Sequence, residues 1–221
     1  ALLVPDHIYL WIGTGVVALL FIVFNRRSPK RIAIIIVIGI ITSGLFEGVD
    51  FAFNNFLKPH QQNRILVLLN PNIDPLGVGW NVTQSKIAIG SGGFSGKGFL
   101  QGTQTKYHFV PEQSTDFIFC TVGEEWGFLG SALVVIVFVL LLIRILHLAE
   151  LQKSQFSRMY GYAVAAIIFM HFMINIGMVM GLIPTIGIPL PLFSYGGSGL
   201  WGFTILLFIF IKLDSNRINE W

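Results

Sequence analysis

Runs of apolar residues long enough to cross a bilayer recur along this chain, and they leave few folds open to it. Ile8 to Phe24 is one such run, close to the ~17-residue minimum for spanning ~30 Å of hydrocarbon. Ile32 to Phe46 is another, and its helix is expected to continue to about Phe53. Phe117 to Leu148 follows, its uninterrupted apolar part starting at Trp126. Met159 to Leu182 is interrupted only by His171 and Asn175, and a last run ends at Leu213. Within lipid every backbone N–H and C=O must be satisfied inside the segment, so each run is expected to be a helix. Composition agrees: 11% of residues are charged, against about 25% for a soluble domain. The expected fold is all-α, a polytopic membrane protein with spans near 8–24, 32–53, 117–148, 159–182 and 198–213 in one membrane domain.

Residues 54–116 form a loop longer than a passive connection. Arg64 to Leu69 is short and amphipathic enough to lie along the interface, and Trp80 to Ile89 suits a second surface helix ending at glycines. Pro184, Pro189 and Pro191 break the chain before the last span. If the spans alternate, Arg26, Arg27, Lys30, Arg31, Arg144, Lys153, Arg158, Lys212 and Arg217 share one side. The positive-inside rule makes that side cytoplasmic and turns the long loop outward. A net charge of +3 is too small to argue for nucleic acid. The lone Cys120 excludes an internal disulfide and is expected to pack as a small hydrophobe. The chain starts with Ala and shows no leader pattern, and it reads as part of a longer product.

Chemistry concentrates between Gln84 and Gly130. Lys86, Lys97, Lys106, His108, Glu112 and Asp116 gather there, and Glu124 and Glu125 follow inside apolar sequence. Ionisable groups at the mouth of a membrane helix are expensive and usually functional. Asp116 falls near the outer N-terminus of the third expected span, where the helix dipole also favours a carboxylate. Lys86 and Lys97 flank glycines whose backbone could cradle phosphate. The string is not a Walker A loop, because three residues rather than four separate Gly92 and Gly96, and Gly98 stands where Ser or Thr is required. One of Glu124 and Glu125 must face the bundle interior, since two adjacent carboxylates cannot both face lipid cheaply. His171 and Asn175 share a helix face, suited to an interhelical hydrogen bond or to a proton relay.

Four strings carry a family resemblance: Gln84-Ser-Lys-Ile-Ala-Ile-Gly-Ser-Gly-Gly93, Gly96-Lys-Gly98, Phe109-Val-Pro-Glu-Gln-Ser-Thr-Asp-Phe-Ile-Phe119 and Pro189-Leu-Pro-Leu-Phe-Ser-Tyr-Gly-Gly-Ser198. In this order they resemble the RodA/FtsW/SpoVE family of bacterial elongation, division and sporulation proteins, the RodA-like branch most. The resemblance covers nearly the whole chain but only the second half of the family's ten-helix fold. It implies a peptidoglycan glycosyltransferase of the bacterial inner membrane, polymerising lipid II onto an undecaprenyl-linked glycan chain beside a class B penicillin-binding protein and other elongation-complex proteins. It implies that Asp116 is the catalytic residue. Arg64, Lys86 and Lys97 would hold diphosphates, Glu112 would support Asp116, and Glu125 or Glu124 would line the groove. Ser194, Tyr195 and Ser198 would line the cavity. No metal ligands are assigned, although a divalent cation such as Mg or Mn, held by phosphate and carboxylate, could share the charge. The half-length chain is expected to be inactive alone. Two rival readings are a flippase for the same lipid and a scaffold that only positions a transpeptidase.

Overall fold

A computed structural model of the chain describes residues 15–16, 29–74, 77–107 and 109–217. The first expected span, about 8–24, and His108 lie outside the described residues. Packing divides the chain into two units, Ala1–Leu69 and Asn70–Trp221.

The first unit holds helices α1 (Pro29–Phe56) and α2 (Pro59–Leu69). Each opens on proline, whose fixed φ and missing N–H suit the first helical position. Val37–Phe56 is long and apolar enough to cross a membrane, and its side chains are almost wholly exposed. The Gln62 amide donates to the carbonyls of Phe53 and Leu57 at 2.8 and 3.1 Å, satisfying orphan acceptors at the end of α1. The amphipathic stretch at Arg64–Leu69 is the C-terminal half of α2.

The second unit contains α3 (Val78–Gly92), the single turn α4 (Thr103–Lys106), α5 (Ile118–Glu150), α6 (Gln155–Val179) and α7 (Gly197–Asn216). The last three are membrane-crossing by length and composition, and no strand occurs among the described residues. They run up, down and up around a core of Phe138, Ile145, Val164, Ile168, Leu190, Phe203 and Phe210. Gly161 lets α7 approach α6: a Cβ there would meet the Phe210 ring at 2.6 Å. At the end of the bundle carrying the α5–α6 turn, the buried Gln152 amide donates to Asp214 at 2.7 Å and accepts at its backbone carbonyl from Arg158 at 2.9 Å.

The opposite end departs from the sequence expectation. Helix α3 buries one face, since Val82, Gln84, Ser85, Ala88 and Gly92 are buried and it packs on α5 and α6. Small residues permit this. A Cβ at Gly92 would fall 1.9 Å from the Gly123 carbonyl oxygen, and the Ser85 hydroxyl reaches the Val179 carbonyl at 2.8 Å. Helix α5 also breaks at Gly127, whose φ of 62° and ψ of −154° are non-helical. Cys120 packs beside Ala88, Phe117, Met178 and Val179 as a small buried hydrophobe.

Candidate active site

The break at Gly127 explains where the glycine string goes. It frees α5 carbonyls, and the loop after α3 fills them: Lys97 and Gly98 donate their N–H groups to the carbonyls of Glu124 and Glu125 at 3.0 Å. In return Phe128 and Leu129 donate to the carbonyls of Gly93 and Phe94 at 2.9 and 3.2 Å. A Cβ at Gly96 would sit 2.1 Å from the Glu125 oxygen, so the loop needs glycine for close approach to α5. The Gly96 N–H is also engaged, by the Gly92 carbonyl. The N–H groups of Gly96, Lys97 and Gly98 are thus spent on contacts within the fold.

Lys97 is tied to the same region. Its ammonium lies 2.7 Å from Glu124 Oε1 and donates to the Thr103 hydroxyl at 2.8 Å, instead of standing free for a ligand. Glu124 is fully buried and also accepts the N–H groups of Gln104 and Thr105, both at 2.9 Å. This saturated carboxylate is a bolt joining the loop, α4 and α5. Glu125, which the sequence placed in the groove, is buried too, and among the described residues no hydrogen bond reaches its carboxylate.

Asp116 sits where four segments meet. It ends an irregular turn that starts at Glu112, whose φ of 52° lies in the left-handed region and whose carbonyl accepts from Thr115 and Phe117. Asn175, on α6, donates its two amide hydrogens to the carbonyls of Asp116 and Ile188 at 2.8 and 2.7 Å. The Ser194 hydroxyl donates to the Thr115 carbonyl at 2.6 Å and accepts from Leu190 N–H at 2.8 Å. The Tyr195 N–H reaches the Ser114 carbonyl at 2.8 Å. Beneath the carboxylate runs Gly187, where a Cβ would stand 3.1 Å from Asp116 Oδ2. A cleft of about 230 Å³ opens beside Asp116, lined also by Pro189, Leu192, Tyr195, Ser198 and Phe203. Burial first, and then the negative charge of Glu112, raise the Asp116 carboxyl above its ordinary pKa.

The other expected site residues divide between lining and scaffold. Tyr195 stands exposed at the rim, and Ser198 lies in the first turn of α7 on the cleft wall. Ser194 lines the cleft, but its hydroxyl braces the turn before Asp116. Lys86 is exposed on α3, its ammonium over Gly181 at the foot of the 180–196 loop. Arg64 belongs to the first unit, on α2. Gly187 was not legible as a site residue, and its only signal was its place between two prolines. Among the described residues no three His, Cys, Asp or Glu side chains converge.

Long apolar helices with a carboxylate-bearing cleft at one end define a polytopic membrane protein. Residues 8–219 match the FtsW/RodA/SpoVE family, described as cell cycle protein, and the chain belongs to that family. It is 39% identical over 218 residues to the peptidoglycan glycosyltransferase RodA of Treponema pallidum, covering 90% of this chain and 49% of that protein. Against the peptidoglycan glycosyltransferase MrdB of Escherichia coli K12 the identity is 41% over 192 residues, covering 86% of this chain and 50% of that one. Stage V sporulation protein E of Bacillus subtilis is 36% identical over 211 residues, 95% of this chain and 56% of that protein. A solved structure described as the coordination of polymerization and crosslinking by a peptidoglycan synthase complex superposes with TM-score 0.63 at 28% identity, covering 94% of this chain and 55% of that one. The chain thus spans about half the length of the relatives it matches.

Proposed function

We propose that this chain forms the catalytic half of a peptidoglycan glycosyltransferase that polymerises lipid II. The observation that carries the reading is a half-buried carboxylate, Asp116, of raised pKa, fixed at the mouth of a cleft on the polar end of membrane helices. In the proposed reaction a sugar hydroxyl of one lipid-linked substrate attacks the anomeric carbon of another. The new O–C bond forms as the bond to the diphosphate breaks, and the hydroxyl proton passes to a carboxylate oxygen of Asp116. The lipid diphosphate leaves with the bonding pair. A single base serves such an inverting displacement, and a raised pKa makes the carboxylate a stronger base than an ordinary aspartate.

Lys86 is assigned to the diphosphate, since it is exposed and among the described residues no acidic partner reaches it. Ser198 and Tyr195 are assigned to the sugars on the cleft wall. The partner proposed is a class B penicillin-binding protein, and the solved relative, a peptidoglycan synthase complex, supports it. The site would face outward from the bacterial inner membrane: Arg144, Lys153, Arg158, Lys212 and Arg217 lie toward the other end of the second unit, which the positive-inside rule assigns to the cytoplasm.

A flippase or a pure scaffold would need no chemistry in the cleft. The full-length protein, purified with its transpeptidase, is incubated with lipid II in detergent, where nothing has to cross a bilayer. A ladder of glycan products is expected, and its absence from well-folded complex would refute polymerisation.

A further inference from the structure

We propose that Asn175 is a positioning residue for Asp116, an inference that rests on the catalytic role assigned to that carboxylate above. Asn175 is fully buried on α6, and its amide bonds two carbonyls from different segments, Asp116 O at 2.8 Å and Ile188 O at 2.7 Å. The two acceptors fix which way the amide points, because a flipped group would set its oxygen against two carbonyl oxygens. One side chain therefore ties the backbone under the base to the 184–190 loop. That loop carries Gly187, whose backbone passes so close below Asp116 Oδ2 that a Cβ would stand 3.1 Å away. The carboxylate rests on a floor, and Asn175 holds floor and carboxylate-bearing backbone together from inside the bundle.

The remaining anchors leave this task to Asn175. Ser194 and Tyr195 fix Thr115 and Ser114, upstream of the base, and Phe117 N–H bonds back to Glu112. Among the described residues the Asp116 carbonyl is held by Asn175 alone, and so is that of Ile188. Without the amide, both carbonyls would be buried acceptors seeking other donors, and the turn would have to shift to find them. A shift of about 1 Å at a catalytic group can lower the rate about 10²-fold.

The test uses the full-length protein with its transpeptidase, following polymerisation of lipid II from pH 4.5 to 9. Asn175→Leu keeps the side-chain size and removes both donors. It is expected to lower kcat about 10²-fold per folded molecule with KM for lipid II changed less than about threefold. The acid limb of kcat should also move to lower pH, as a loosened Asp116 gains water. Among the described residues, the titratable group facing Asp116 is Glu112 on its own turn. The 180–196 loop adds Tyr195 on the cleft, and α6 adds His171, whose ring lies against Phe203. Neither changes in the variant, so a moved limb reports the seat of Asp116. A residue that only stabilised the bundle would reduce the folded fraction and leave the limb in place. If Asn175→Leu does not fold, Asn175→Ser, which keeps one short donor, is expected to show the same displaced limb with a smaller loss. Wild-type kcat per folded molecule, or a reduced kcat with the limb unmoved, in whichever variant folds would overturn the proposal. Those results alongside an inactive Asp116→Asn would refute the positioning role alone, whereas an active Asp116→Asn would refute the reading beneath it.

Discussion

Two acids, Asp116 and Glu124, differ in what their oxygens touch, and under the proposed reaction that difference separates the base from a structural acid. Glu124 is saturated by Lys97, Thr103 and two backbone N–H groups, and nothing is left to take up a proton from substrate. Asp116 has its backbone pinned while its carboxylate lines an open cleft. Its pKa is raised by burial and then by Glu112, so the neutral form is favoured and the base is lost as pH falls through that raised value. Polymerisation should therefore fail on the acid side at a higher pH than an unperturbed aspartate would set. By linkage, the same shift contributes stability at low pH that fades as pH rises through the raised pKa. Glu112→Gln keeps an oxygen for the Thr115 hydroxyl but removes the repelling charge. It should move the acid limb of kcat to lower pH with the plateau within a few-fold of wild type, and a limb that stays or rises would contradict this electrostatic account. Asp116 was singled out by the family resemblance, since its place before a long apolar run suits a helix-dipole role equally well. The sequence could not choose between Glu124 and Glu125, because adjacency along a helix says nothing about which neighbour brings N–H donors.

Helices and loops meet at Gly127, and this element-scale feature was hidden in the sequence. Glycine after two glutamates at the start of an apolar run reads as tolerated helix, yet here it turns α5 out of helical geometry and opens its carbonyls to the 93–98 loop. Four long apolar helices were legible because hydrophobic length is a local property. The burial of α3 was not, because it depends on Gly92 meeting Gly123 across elements. The Lys97–Glu124 pair was hidden for the same reason, since the two lie 27 residues apart. Removing one partner of a buried pair strands the other charge and typically costs about 3–5 kcal/mol. Lys97→Met should accordingly lower the thermal midpoint of the full-length protein by several degrees. Adding Glu124→Gln should recover part of the loss, because it removes the stranded charge. Equal midpoints for wild type and Lys97→Met would show that the pair does not hold the loop.

At the scale of the whole molecule, the second unit has a polar, acid-bearing end and a basic end, the latter tied by Gln152 to Asp214. That asymmetry predicts which side of the membrane each end occupies. The single native cysteine is fully buried and should give little background. Cysteine at the exposed Gln101 should react with an impermeant thiol reagent in intact spheroplasts, and cysteine at the exposed Gln155 should react only after permeabilisation. The reverse pattern would place the site in the cytoplasm. The central claim remains chemical: an outward cleft in which one carboxylate takes the proton of an attacking sugar hydroxyl. It is tested most directly by the glycan ladder made from detergent-solubilised lipid II by the full-length complex carrying Asp116→Asn. That variant keeps volume and hydrogen bonding but cannot serve as the base. It should fold and bind its transpeptidase as wild type does, while its polymerisation falls by roughly 10²–10⁴-fold. A wild-type ladder from the same folded complex would contradict the account.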